Sequence, residues 1–142
     1  MTEAATEASP LEQAVARVGD RWALLIVDAL SGGPRRFNDL VDELEGLATN
    51  ILSQRLKRLE ADGVGVSRPY SRRPRRYSYE LTQTGRGLAA AIRTLGQWGA
   101  GFSSRGEPFR HEPCGTPLES RWYCPTCAAA VDEAESDEVR HV

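Results

Sequence analysis

Apolar residues recur at helical spacing through the first half of the chain, and the breaks in that spacing mark its elements. Leu11, Val15 and Val18 form a short stripe that predicts a helix over 11–18, with Pro10 as a natural helix start and Gly19 as the stop. Asp20 is a good N-cap for a second helix over 21–30, whose run from Trp22 to Val27 is apolar almost all round. Such a helix belongs at the buried centre of a small domain. The Ser31-Gly-Gly-Pro34 string ends it. Phe37, Leu40, Val41 and Leu44 predict a third helix over 37–44, and Glu45-Gly46-Leu47 reads as a turn. A fourth helix is expected over 48–61, with Leu52, Leu56 and Leu59, helped by Ile51, as its seam and Asp62-Gly63 as its end. Two short helices joined by a three-residue turn containing Gly have the form of a helix-turn-helix.

After Gly63 the period changes. Val64, Val66 and Arg68 lead into Pro69-Tyr-Ser-Arg-Arg-Pro74, and Tyr77, Tyr79 and Leu81 then alternate with polar residues. Period two around a proline-punctuated turn predicts a hairpin. Thr82 or Thr84 caps a last helix through Leu88, Ile92, Leu95 and Trp98, closed by Gly99 and Gly101. The expected fold is mainly α with a small β hairpin: a winged helix-turn-helix domain, followed by a small module around the cysteines. The expected organisation is a disordered arm over 1–10, the winged domain over 11–102, the module over 103–131 and an acidic tail over 132–142.

Composition narrows the class. The chain of 142 residues has no apolar run near the roughly 20 residues a membrane helix needs. Residues 1–10 lack the basic start and apolar centre of a secretory signal, so a cytoplasmic protein with no membrane partner is expected. The formal net charge of −2 conceals an asymmetry. Arg68, Arg72, Arg73, Arg75 and Arg76 stand in a stretch without an acid, whereas Asp132, Glu133, Glu135, Asp137 and Glu138 crowd the C-terminus. Local field decides where a polyanion docks, so double-stranded DNA is a permitted partner.

The leucine seam of the fourth helix turns Thr49, Asn50, Ser53, Gln54 and Lys57 outward, with Arg55 and Arg58 on the flanks. Asn and Gln can pair with an adenine edge, and Ser, Thr and Lys can reach base edges or phosphate. The expected base contacts are Thr49, Asn50, Ser53 and Gln54, and Lys57 and Arg58 are expected on phosphate. A solvated polar face is the bland alternative for this helix taken alone. The hairpin tip shifts the balance: Arg72, Arg73, Arg75 and Arg76 around Pro74 repel one another unless an anion meets them. Arg35 and Arg36 are candidates for further backbone contacts.

The strings VGDRWALLIVDALSGGPRRFNDLVDEL, LSQRLKRLEADGV and RRYSYELTQTGRGL resemble the HxlR-type family of winged-helix regulators, relatives of the MarR type, over residues 11–99. That resemblance implies a homodimer with one recognition helix and one wing on each half of a near-palindromic operator, and the first and last helices at the dimer interface. The bland reading of the two terminal stripes is that they cap the core of the monomer. Some members sense electrophiles or oxidants through a cysteine near the N-terminus, and residues 1–18 contain none. Gly65 stands where the pattern has an apolar strand residue, which predicts a loose first strand.

All three cysteines fall in HEPCGTPLESRWYCPTC. His111 and Cys114 are three apart, as are Cys124 and Cys127, and nine residues separate the pairs. Two short-spaced pairs of soft ligands match tetrahedral zinc, here structural because four protein ligands leave no open position. Such a site makes the module zinc-ribbon-like. Thiols without metal, or a disulfide, are the alternatives, and a cytoplasmic setting disfavours the latter. His141 is the rival for the His111 position.

These readings point to a sequence-specific DNA-binding regulator, in the first instance a repressor. A redox- or zinc-responsive regulator, or an adaptor whose ribbon and acidic tail bind a partner, are the alternatives. An enzyme is not expected: there are two histidines, no Gly-rich phosphate loop and no nucleophile beside a base. An unidentified small-molecule effector stays open, with Trp22 and Trp98 as pocket candidates against the plainer reading of core.

Overall fold

Ser9 starts the first helix. In this computed structural model, which describes residues 7–131, its hydroxyl accepts the Glu12 amide and the Glu12 carboxylate accepts the Ser9 amide. This reciprocal pair caps α1 (Pro10–Val18). Only Val18 of its stripe is buried; Leu11 and Val15 face solvent. Asp20 then caps α2 (Arg21–Ser31), one carboxylate oxygen accepting the amides of Trp22 at 2.8 Å and Ala23 at 3.0 Å. Ala23, Ile26, Val27 and Leu30 are buried, but Leu25 is exposed. The helix is therefore central on one face and not wrapped all round.

A two-residue strand, β1 (Arg35–Arg36), precedes α3 (Phe37–Glu43). Leu44 and Leu47 are both buried and joined by a backbone hydrogen bond of 3.2 Å, so the turn between the helices is pinned at each end. Gly46 takes the left-handed conformation there, with φ +85°. α4 (Thr49–Ala61) buries Leu52, Leu56 and Leu59 as the seam required, with Ile51 packed against the same core.

β2 (Gly65–Arg72) and β3 (Arg75–Leu81) form the expected hairpin, and β1 adds to its other side through Arg35 with Tyr79 and Arg36 with Ser78. The sheet is antiparallel in the order β1-β3-β2. The first strand is not loose at Gly65: it pairs in register with Leu81, close to Leu59. The irregularity falls instead between Pro69 and Ser71, where Pro69 has no amide to donate.

Thr82 joins the hairpin to α5 (Gln83–Gly99). Its hydroxyl accepts the Gly85 amide at 3.2 Å and donates toward the carbonyls of Gly63 and Val64. A Cβ at Gly85 would lie 2.1 Å from the Val64 carbonyl oxygen, so this crossing requires glycine. Leu88, Ala89 and Ile92 complete the core.

The chain divides into two compact units within α5, at Arg93 and Thr94. The first unit holds α1 to α4, the three-stranded sheet and the start of α5. The second holds the end of α5, a 3-10 helix (Ala100–Phe102), and the hairpin of β4 (Trp122–Cys124) with β5 (Ala129–Val131). The order of elements in the first unit is that of a winged helix-turn-helix. Residues 1–6 of the expected arm and the expected acidic tail over 132–142, with its His141, lie outside the described residues.

Candidate nucleic-acid interface

The seam of α4 decides what its other face does. With Leu52, Leu56 and Leu59 at most 3% exposed, Thr49, Asn50, Gln54 and Lys57 stand exposed and Ser53 half-buried. Among the described residues none of these five side chains makes a hydrogen bond or ion pair. The cap of α4 is Ala48, which offers no side-chain acceptor, so the first amides of the helix also lack a side-chain partner. A helix start of this kind presents donors and a positive dipole end to an anion.

The arginines around α4 and the wing sort into three sets. Arg55 binds Asp20, with Nη2 2.8 Å from Oδ2. Arg58 pairs with Asp62 at 3.1 Å and donates to the Ala16 carbonyl at 3.2 Å. Arg35 pairs with Glu43 at 2.7 Å and donates to the carbonyls of Gly33 and Pro34. Arg68 pairs with Glu80. Arg72, Arg73, Arg75 and Arg76 are the second group: all are exposed around the wing tip, and none has a carboxylate partner among the described residues. Of the cations expected on phosphate, Arg72, Arg73 and Arg75 thus stand together at the tip, while Arg35 and Arg58 are engaged within the fold.

Arg36 takes a third position. Its guanidinium lies 4.4 Å from the centre of the Tyr70 ring, a cation–π contact across the sheet. Around it is an open cleft of about 470 Å³, bordered by Arg36, Asn38, Tyr70, Arg75, Arg76 and Tyr77. Sequence reasoning missed this cleft together with β1. The two arginines of β1 carry no alternation, and only the facing tyrosines of the hairpin hint at a place for them.

Asp20 links the capping of α2 to α4. Its carboxyl is held below the ordinary aspartate range, first by the hydrogen bond from Arg55 and then by the Ala23 amide. Trp22 is half-buried against the core under the Arg21 guanidinium, 4.6 Å from its ring centre. Trp98 is 69% exposed and meets Phe102 in a tilted ring contact, ring centres 5.0 Å apart and planes inclined by 57°. The terminal stripes therefore split: Val18, Leu88 and Ile92 serve the core, and Leu11, Val15, Leu95 and Trp98 face outward.

In the second unit, His111 Nδ1 lies 3.3 Å from Cys114 Sγ. The Cys114 thiol is lowered by the Thr116 hydroxyl and then by the Thr116 amide. That of Cys124 is lowered by the Cys127 amide, then by the Cys127 side chain and the Thr126 amide. No cysteine is disulfide-bonded. Each short-spaced pair forms, but the expected four-ligand cluster is not assembled: among the described residues no three His, Cys, Asp or Glu side chains are gathered around a common point. No described helix is long and apolar enough to cross a membrane.

Comparison with known proteins matches residues 17–107 to the HxlR-like helix-turn-helix family. An uncharacterized HTH-type transcriptional regulator of Mycobacterium tuberculosis, Rv3095, is 38% identical over 129 residues, 88% of this chain and 81% of that protein. The redox regulator HypR in its reduced form superposes with a TM-score of 0.63 at 28% identity, over 66% of this chain and 92% of that one. PA1607, described as a putative transcription factor, gives a TM-score of 0.74 at 26% identity over 96% of both chains.

Proposed function

The chain belongs to the HxlR-like helix-turn-helix family, and we propose that it is a dimeric, sequence-specific DNA-binding repressor acting on a near-palindromic operator. One observation carries the reading: α4 buries its leucine seam and leaves Thr49, Asn50, Gln54 and Lys57 exposed, without an intramolecular hydrogen bond among the described residues. In a helix-turn-helix the N-terminal residues of the second helix reach the bases. Asn50 and Gln54 have the paired donor and acceptor that an adenine edge requires, Thr49 and Ser53 supply hydroxyls, and Lys57 supplies a phosphate contact. Arg72, Arg73 and Arg75 of the wing neutralise backbone phosphates or enter a narrow minor groove. Arg36 joins them from the cleft, whereas Arg35 and Arg58, already paired with carboxylates, act within the fold.

Dimerisation is supported by apolar residues left outside the core. Leu11, Val15, Leu95 and Trp98 are between 49% and 73% exposed, on α1 and α5, the first and last helices that the family resemblance implies at a dimer interface. A two-fold dimer presents two copies of α4 to successive major-groove faces, roughly 34–36 Å apart. An operator occupied in this way excludes other proteins from the same duplex, which makes repression the expected sign.

Titration of fluorescent duplex from upstream of the protein's own coding sequence, at several salt concentrations, tests the reading. Affinity is expected to fall log-linearly with salt, with a slope of about −0.9 per phosphate contacted. Failure to bind that duplex, or any duplex, at moderate salt overturns it.

A further inference from the structure

The segment after α5 has two well-formed hairpins and no core. Every residue from Gly101 to Tyr123 is exposed, and of those from Cys124 to Val131 only the two end residues are even half-buried. So short a segment buries too little apolar surface to offset the entropy of ordering its backbone, and comparable small units are held by disulfides or metal. No disulfide is present.

The two hairpins share one construction. In the first, the amides of Cys114 and Gly115 both donate to the His111 carbonyl, at 3.2 and 2.7 Å, and the His111 amide donates to Thr116 at 2.9 Å. Gly115, directly after Cys114, is left-handed with φ +72°. In the second, Cys124 pairs with Ala129 across the hairpin, and the amides of Thr126 and Cys127 are directed at the Cys124 sulfur. Ala128, directly after Cys127, is left-handed with φ 52°, alone among the described non-glycine residues. A side-chain-bearing residue adopts that conformation at a cost, so the turn at Cys127 is held by something other than local preference.

Donor chemistry fits one ion. Bond lengths of about 2.3 Å to sulfur and 2.0–2.1 Å to nitrogen put neighbouring tetrahedral ligands roughly 3.5 Å apart, close to the 3.3 Å between His111 Nδ1 and Cys114 Sγ. The connector between the pairs is anchored in the same unit: the Gln97 side-chain amide donates to the Leu118 carbonyl at 2.8 Å and accepts from the Ser120 hydroxyl at 3.1 Å.

We propose that His111, Cys114, Cys124 and Cys127 bind one zinc ion, and that binding closes the two hairpins into a single module. The neutral imidazole and three thiolates fill the tetrahedron, and the three thiol protons pass to solvent. The site is structural, since it leaves no position for water or substrate.

The test is metal analysis of the full chain purified under reducing conditions, followed by cobalt titration of the metal-free protein. One zinc per chain is expected, with a cobalt spectrum showing tetrahedral ligand-field and sulfur-to-metal charge-transfer bands. Cys124→Ser and His111→Ala are each expected to weaken zinc binding by more than the roughly 10–100-fold that loss of an outer-shell partner costs. Cys114→His, which keeps a ligand, is expected to retain the tetrahedral bands with weaker charge transfer, a result that general unfolding does not give. Zinc-free protein that shows only weak six-coordinate cobalt bands overturns the proposal. A His111→Ala variant with unchanged affinity, beside a His141→Ala variant that loses it, overturns the ligand set.

Discussion

Arg55 Nη2 lies 2.8 Å from Asp20 Oδ2, while Oδ1 of the same Asp20 accepts the first amides of α2. One carboxylate thus caps the central helix and fixes α4 to it, setting the angle at which the outward face of α4 is presented.

Asp20→Ala removes both roles. Loss of the cap costs typically about 1 kcal/mol, and the half-exposed ion pair adds about 0.2–1 kcal/mol. Asp20→Asn keeps a capping oxygen but not the charge, so it isolates the pair. Because the Asp20 carboxyl is lowered in the folded state, its contribution is fully present above the ordinary aspartate value. It is lost as pH falls through the lower folded value. Urea denaturation of wild type and Asp20→Asn at a series of acidic pH values should therefore show a gap that closes only below the ordinary aspartate range.

The sorting of arginines predicts a contrast in salt dependence. Arg72, Arg73 and Arg75 have no carboxylate partner among the described residues, whereas Arg68 pairs with Glu80. Replacing the three wing arginines with alanine removes up to six phosphate contacts per dimer, which lowers the salt slope by up to about five. Arg68→Ala should leave the slope unchanged. Equal slopes for the triple variant and wild type would remove the wing from the DNA contact.

On α4, base-reading and structural residues should separate by readout. Asn50→Ala and Gln54→Ala are expected to cost about 1–3 kcal/mol each in specific binding, with little change in non-specific affinity or in melting temperature, since both side chains are exposed. Arg58→Ala should do the reverse. Its bonds to Asp62 and the Ala16 carbonyl join α4 to α1, so a loss of about 0.5–1.5 kcal/mol in stability is expected. A large drop in DNA affinity with unchanged stability would return Arg58 to the phosphate contacts.

The periodic parts of the chain were legible and the non-periodic parts were not. Leu52, Leu56 and Leu59 announced their seam because helix burial repeats along the sequence, and Asp20 announced its cap because few residues can accept those amides. β1 was invisible, since two arginines carry no period and their pairing with Ser78 and Tyr79 depends on a partner over 40 residues away. The pairing of Arg35 with Glu43 and of Arg58 with Asp62 left no mark in the pattern either: a cation reads alike whether it meets phosphate or a carboxylate a few residues along the chain. At Gly65 the general weakness of glycine in strands gave the wrong expectation, because the in-register pairing with Leu81 holds that position.

Gly85 tests the junction of wing and α5. An added Cβ meets the Val64 carbonyl at 2.1 Å, in backbone that Thr82 also ties down, so the clash cannot be relieved by a side-chain rotation. Gly85→Ala is expected to destabilise by about 1–3 kcal/mol through overpacking, despite the better helix propensity of alanine. Gly87→Ala, two residues on with nothing within 4 Å of its Cβ, should be neutral or stabilising. Paired thermal melts decide the matter.

Oligomeric state rests on surface that the described fold leaves uncovered. Leu11 and Val15 lie on α1 and Leu95 and Trp98 on the end of α5, while the other apolar residues of the same stripes are packed inside. If these four served the monomer core, replacing them would unfold the chain; if they serve a second copy, it would leave a folded monomer. Leu95→Asp with Trp98→Asp is therefore expected to halve the sedimenting mass and preserve the helical circular dichroism. DNA affinity should fall steeply, because two linked half-sites gain from effective concentration that single ones lack. A double variant that stays dimeric would move the interface elsewhere, and one that loses its helicity would assign these residues to the fold.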